Sequence, residues 1–432
     1  MTVMSLRNLV RLGTLVFAGT GLVVCANANP LYGDGGVSPF YSWSQAVPAV
    51  PGTVLRKEPL SKKAYPHANS AERLLYVSTD GIDSKTPIVV SGQIYLPIGK
   101  APKGGWPIMT WGHPTVGVAD VCAPSWTGYS APEALMVDTW LAAGFAVVAT
   151  DYQGLGTEGP HPYLLFRPEG YGVLDAARAA LKAYPGQVAN KIIPAGFSQG
   201  SGAALGAAWL APTYAPDLKV LGAVATGLVV ETSYPGPAPQ VEGPAFTGDD
   251  GGPETAFQML FLIGTAPALD SAFDPKAVLL KAGEPLLKTA QTGCFDAVIG
   301  QAMANKLDYR EQAGTTNIYD PAYEATIHKI EVTSPFDNAR FTMPILTLTG
   351  LADEPAPISR QYNFISAMCT AGSTVEWHYY PHQTHSSTVN TSLPEALRFA
   401  KALSDGQAVS GNCADLVPPG PTQTPDPALT HN

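Results

Sequence analysis

A serine sits at the centre of Gly196-Phe197-Ser198-Gln199-Gly200, with a glycine two positions to either side. The apolar run Ile192 to Ala195 precedes it, and Ser201-Gly202-Ala203-Ala204, a small-residue helix start, follows. A strand that turns this sharply into a helix strains its central residue and crowds the flanking positions until side chains would collide there, hence the glycines. The hydroxyl is thereby presented as a nucleophile, and the helix N-terminus favours negative charge forming beside it. The same string also occurs in plain structural turns. Here the strand before it and the helix after it point to acyl chemistry at Ser198.

A serine hydroxyl attacks a carbonyl only when a base takes its proton, and the base needs a carboxylate to orient it. On a strand–turn–helix scaffold the chain order is serine, acid, histidine. The run Ile345 to Thr349 leads into Gly350-Leu351-Ala352-Asp353-Glu354, which puts Asp353 just past a strand end, with Glu354 as its rival. Asp151 also ends an apolar run but precedes the serine, and reads as a loop-fixing carboxylate. His378, His382, His385 and His431 follow Asp353. His378 falls inside an expected strand and His431 in the tail. His382 and His385 both lie before the last expected helix, and the small neighbours Thr384, Ser386 and Ser387 favour His385 as the base. The oxyanion of a tetrahedral intermediate needs two backbone N–H donors. Gln199, directly after the serine, is one candidate. Thr115, in the loop Trp111-Gly112-His113-Pro114-Thr115-Val116-Gly117, is the other, because Pro114 has no N–H to give. A turn without ligand role is the plain alternative for that loop.

These groups need a scaffold, and the pattern around them supplies one. Ile88 to Leu96, Pro107 to Trp111, Phe145 to Thr150, Ile192 to Ala195, Val220 to Ala225, Ile345 to Thr349 and Val375 to Tyr380 read as strands. Val173 to Tyr184, Ser201 to Leu210 and Pro394 to Leu403 read as helices between and after them. Strands interleaved with helices predict an α/β fold with a mainly parallel sheet flanked by helices. The rhythm breaks over 230–335, which opens on Pro- and Gly-rich turns (234–244 and 248–253). Phe257 to Ile263 is apolar there, and Ala277 to Ala290 looks helical. A stretch this long cannot be a plain loop, so 230–335 is expected to be a cap or lid inserted into a core made of 71–229 and 336–413. Residues 29–70 read as an irregular N-terminal arm, and 414–432 as a disordered Pro-rich tail.

With 432 residues, 45% of them hydrophobic, the chain can bury a large core. A net charge of -10 argues against nucleic-acid binding and against a polybasic membrane anchor. Arg7 and Arg11, an apolar run from Leu12 to Val24 and Ala26-Asn27-Ala28 predict a signal peptide over 1–28, cleaved after Ala28, and a secreted or periplasmic product. The alternatives are a membrane anchor, for which the run is short and interrupted by Gly13, Gly19 and Gly21, and a lipoprotein through Cys25, which bulky Val24 disfavours. Export removes Cys25 and leaves Cys122, Cys294, Cys369 and Cys413. Two disulfides are expected in an oxidising compartment, and spacing cannot choose among three connectivities.

The segments His113 to Gly117, Cys122-Ala123-Pro124-Ser125, Asp151-Tyr152-Gln153-Gly154-Leu155-Gly156, His161-Pro162-Tyr163-Leu164 and Gly196 to Gly200 together resemble the secretory lipase family. The resemblance covers about 50–410 and is weakest in the expected lid. It implies an α/β-hydrolase core with an inserted lid, a triad at Ser198, Asp353 and His385, and oxyanion donors at Thr115 and Gln199. It also implies the bridges Cys122–Cys294 and Cys369–Cys413, the first tying the oxyanion loop to the lid. Pro114 departs from the pattern: bacterial relatives usually carry glycine between the His and the Thr, and proline, which fixes φ, stiffens the loop.

The expectation is an exported carboxylic ester hydrolase working through an acyl-enzyme on small-molecule or lipid ester substrates. No cofactor or metal is called for, and transient contact with a lipid interface is compatible with this reading. A short-chain esterase, an acyltransferase and a peptidase or amidase on the same scaffold are the rivals, with a non-catalytic binding protein behind them. Phe257 to Ile263 fits an acyl tunnel and internal lid packing equally well. Oligomeric state is not legible.

Overall fold

The computed structural model describes residues 36–230, 251–310, 312–323 and 339–428. The expected signal segment 1–28 with its cleavage site, Cys25, the turns over 234–244 and His431 lie outside them.

Strands β1 (Val54–Pro59), β2 (Ala68–Thr79), β3 (Pro87–Pro97), β4 (Trp106–Gly112), β5 (Ala146–Thr150), β6 (Val188–Phe197) and β7 (Ala223–Thr226) come first along the chain. The short β8 (Leu307–Asp308) and β9 (Thr316–Asn317) follow, then β10 (Ile345–Gly350) and β11 (Val375–Tyr380). Nine of them form one sheet in the order β1-β2-β3-β5-β4-β6-β7-β10-β11. The pairings from β5 through β4 to β11 are parallel, and those of β1, β2 and β3 are antiparallel. All five residues of β5 are buried, as a strand covered on both faces requires. Chain order reverses across β4, with β5 on one side and β6 on the other. In such sheets the crevice at the carboxyl ends beside the reversal is where ligands sit.

Helices α1 (Pro124–Thr127), α2 (Ala131–Ala142), α3 (Phe166–Ala183) and α4 (Gln199–Tyr214) precede the insertion. Helices α5 (Gly251–Leu260), α6 (Ala266–Leu269), α7 (Glu284–Thr292) and α8 (Phe295–Ala304) belong to it. Then come α9 (Ile358–Thr370), α10 (Ser387–Thr391) and α11 (Leu393–Ser404). Period-two alternation assigns the faces. Ile108 and Ile192 point into a cluster with Val173 of α3 and Ala203 of α4. Their neighbours Met109 and Ile193 point the other way, into a cluster with Trp140 of α2 and Phe399 of α11. Helices therefore cover both faces.

The insertion between β7 and β10 has an apolar cluster of its own, including Met259, Leu286 and Val298, which is completed by Val118 and Tyr163 of the core. Helix α5 passes through a π-helical stretch, Phe261–Thr265, into α6. The region expected as one helix over Ala277 to Ala290 holds two short 3-10 turns, and α7 starts only at Glu284. Pro275 and Pro285 each sit at the start of a helical turn, where a missing N–H costs nothing, and so divide the segment.

Two further expectations change. The stretch read as an irregular arm contains the edge strand β1, which pairs antiparallel with β2, and the first residues of β2. Residues of the expected disordered tail are hydrogen-bonded to the core: Gln423 N–H donates to Leu351 O at 2.7 Å, and Asp426 N–H to His382 O at 3.3 Å. Among the described residues no helix is long and apolar enough to cross a membrane.

Candidate active site

Ser198 links the end of β6 to the start of α4 with φ 54° and ψ -122°, a conformation that non-glycine residues rarely adopt. Close packing explains its flanks. A Cβ on Gly196 would lie 1.8 Å from Gly200 O, and one on Gly200 would lie 1.9 Å from Gly112 O. No side chain fits either place, so the elbow exists only with glycine at both. The second contact also presses the first turn of α4 onto the end of β4, where the Thr115 loop begins.

Asp353 follows β10 and is 0% exposed. Its Oδ2 accepts His385 Nδ1–H at 2.8 Å and Gln361 Nε2–H at 3.0 Å, while Oδ1 accepts Ala356 N–H at 2.8 Å. His385 stands on the loop between β11 and α10, and its ring packs on Phe197, the residue before the serine, at 4.6 Å between centroids. Ser198 N–H donates to Thr226 O at 3.1 Å, and a Cβ on the next residue, Gly227, would lie 2.8 Å from His385 Cε1. The histidine thus occupies the corner where the elbow turns. Its Nε2 is buried and makes no hydrogen bond among the described residues, so the bond to Ser198 Oγ is not formed in this conformation. The rivals stand elsewhere. Glu354 is exposed, and His382, also exposed, directs Nδ1 at Thr424 O at 3.0 Å. His378 pairs with Glu376 at 2.6 Å.

Thr115 lies beyond β4, whose Gly112 is in register with Gly196 of β6, so its loop stands beside the elbow. Its hydroxyl meets that of Tyr163 at 2.7 Å. Val116 O accepts Phe295 N–H of the insertion at 2.9 Å, and Cys122–Cys294 joins the same two segments covalently. Cys369–Cys413 joins the end of α9 to the segment after α11. Gln199 opens α4, and the first N–H groups of a helix have no partner within it. The Gln199 side chain is buried behind the elbow, where Nε2 donates to His161 Nε2 at 2.9 Å and to Glu169 Oε1 at 2.8 Å.

Asp151 does fix loops: it accepts Ser91 Oγ–H at 2.6 Å and Ser125 N–H at 2.9 Å, and burial pushes its carboxyl up to about 6. Burial also lowers His113 to about 4 and His161 to about 3, which keeps both rings neutral. Sequence reasoning missed Gln361, whose Oε1 accepts Leu228 N–H and Thr349 Oγ1–H while its amide holds Asp353. It also missed Glu169. Both are single polar residues in helical patterns, and no spacing marks them. Among the described residues no group of three or more His, Cys, Asp or Glu side chains could hold a metal ion.

The sheet order, the helices on both faces and the elbow after β6 define an α/β-hydrolase. Residues 123–411 match the model of the secretory lipase family, and the chain belongs to that family. Lipase A of Moesziomyces aphidis is 26% identical over 320 residues, 69% of this chain and 65% of that protein. A secreted triacylglycerol lipase of Malassezia furfur is 24% identical over 59% of this chain and 52% of its own. A Mycobacterium tuberculosis protein named as a probable inactive lipase is 31% identical over 191 residues, 41% of each chain. The matches thus span less than two thirds of the length of each of these relatives. Among solved structures, Candida antarctica lipase A in its closed state superposes with a TM-score of 0.63 at 20% identity, over 91% of this chain and 90% of that one. The rice cell wall degrading esterase of Xanthomonas oryzae gives 0.61 at 16% identity, over 83% and 100%. At these identities the structural likeness is one of fold.

Proposed function

We propose that the protein is an exported serine ester hydrolase that cleaves carboxylic esters, lipid acyl esters foremost, through an acyl-enzyme on Ser198. The observation that carries this reading is the His385–Asp353 pair, joined at 2.8 Å in the corner of the Ser198 elbow. With Nδ1–H committed to Asp353, neutral His385 keeps Nε2 as its acceptor, and that atom is buried without a partner among the described residues. Such bonds are often open in the free enzyme and close when substrate binds.

His385 Nε2 takes the proton of Ser198, and the hydroxyl oxygen attacks the ester carbonyl. The oxyanion is held by the N–H groups of Gln199 and Thr115. His385 then passes the proton to the leaving alcohol and activates water to release the acid, while Asp353 holds the tautomer and stabilises the imidazolium. None of these steps calls for a metal or an organic cofactor. The inserted helices α5 to α8 act as the lid, tied to the oxyanion loop by Cys122–Cys294. The names of relatives, a secreted triacylglycerol lipase among them, support a lipid acyl ester as substrate and support export.

The test is turnover of a p-nitrophenyl ester series from acetate to palmitate, beside a matched amide, by the wild type and Ser198→Ala. Esters turned over well above the amide, with loss of turnover in a folded Ser198→Ala protein, are expected. Substantial activity in Ser198→Ala removes this nucleophile from consideration. Absence of turnover in the wild type favours a non-catalytic role, as the name of the mycobacterial relative suggests for that protein.

A further inference from the structure

Glu169 lies in the first turn of α3 and is 0% exposed. Its Oε1 accepts Leu164 N–H at 3.1 Å and Gln199 Nε2–H at 2.8 Å. The other Gln199 amide hydrogen goes to His161 Nε2. That nitrogen can accept only in a neutral ring protonated at Nδ1, and His161 Nδ1 stands 2.9 Å from Gln153 O, an acceptor for that proton. The network is complete except at two atoms. Glu169 Oε2 and Gln199 Oε1 are both buried and both without a partner among the described residues. They belong to two side chains already joined through their other atoms. One proton on Oε2 would turn that oxygen into a donor and give the amide oxygen something to accept, removing two costly orphans at once.

We propose that Glu169 is a neutral carboxylic acid which, together with His161, locks the Gln199 side chain and so positions the Gln199 backbone N–H for the oxyanion. This rests on the reading of Ser198 as the nucleophile of an ester hydrolase. The groups that bear on Glu169 agree with a neutral acid. Tyr152 and Tyr163 are un-ionised phenols raised by burial, His161 is neutral, and Glu254 of the insertion acts on Tyr163. Among the described residues no Lys or Arg side chain hydrogen-bonds to Glu169, and burial pushes its carboxyl up to about 8. The same short segment that carries His161 also carries Tyr163, bonded to the Thr115 hydroxyl. Both expected oxyanion donors are thus set from one buried strip between β5 and α3. Glu169 touches no reacting atom; it acts through Gln199.

The experiment compares wild type, Glu169→Ala and Glu169→Gln for kcat and KM on a soluble short-chain ester, and for the rate at which a fluorophosphonate labels Ser198. Glu169→Ala is expected to lose about tenfold to a hundredfold in kcat and in labelling rate with KM little changed. Glu169→Gln, which keeps the shape without a charge, should recover most of that loss. Infrared spectroscopy of the full chain at neutral pH should show a protonated-carboxyl band that Glu169→Gln lacks, a readout independent of turnover if Glu169→Ala fails to fold. Glu169→Gln as impaired as Glu169→Ala, or the absence of that band, overturns the proposal. Wild-type protein that labels at Ser198 while Glu169→Ala labels equally fast sinks the positioning role alone. Wild-type protein that never labels at Ser198 sinks the hydrolase reading beneath it.

Discussion

Two fully buried carboxyl groups flank the elbow, and the proposed mechanism gives them opposite work. Asp353 and Glu169 are each 0% exposed. Asp353 accepts three hydrogen bonds, one of them from the imidazole that, in the proposed mechanism, carries positive charge during turnover. Glu169 accepts two, both from amides, and keeps one oxygen without a partner among the described residues. Equal burial therefore says little about role; the donor set decides. A carboxylate surrounded by donors suits electrostatic support of His385, whereas an acid one donor short suits a proton of its own and a neutral clamp on Gln199.

The contrast can be broken at several points. His385→Ala should cost most, about 10⁴- to 10⁶-fold in kcat, while His382→Ala stays near wild type, because only the first ring meets the acid. Asp353→Asn should follow at about 10⁴-fold with the fold retained, since the amide forces the imidazole into the wrong tautomer. Steady-state kinetics checks both. Gln361→Met should act mainly on stability, lowering it by about 1–3 kcal/mol in chemical denaturation, because Leu228 N–H and Thr349 Oγ1–H lose their acceptor.

The smallest effect sharpens the other side. The Glu169 carboxyl is raised from 4.5 to about 8, so between those values the folded state holds a proton that the unfolded state releases. Wild-type stability should therefore fall as pH rises through this window and level off above it. Glu169→Gln removes the titration, so its melting temperature relative to wild type should climb across the same window. A pH-independent difference between the two would contradict the assignment.

What could be read in advance followed the same division. Ser198, Asp353 and His385 stand at strand ends in a fixed chain order, and the apolar β-branched runs that carry them announce the parallel sheet. The antiparallel edge was hidden because β1 and the start of β2 are polar and partly exposed, with burial alternating only weakly. Helix α2 had a legible signal in Ser130-Ala131-Pro132-Glu133, and the structure shows the reciprocal Ser130–Glu133 cap. Glu169 and His161 meet Gln199 from 30 and 38 residues away, and Gln361 meets Leu228 from 133, so their spacing did not announce these contacts. The docked tail was equally opaque: its proline content predicts a lack of core, but Gln423 and Thr424 are held by the backbone and ring of His382.

The central claim is tested most directly by treating the intact protein with a fluorophosphonate and locating the adduct by peptide mass spectrometry. The account predicts one modified residue, Ser198, with labelling abolished in His385→Ala and preserved in His382→Ala. An adduct on another residue, or labelling that survives loss of His385 but not of His382, would contradict it.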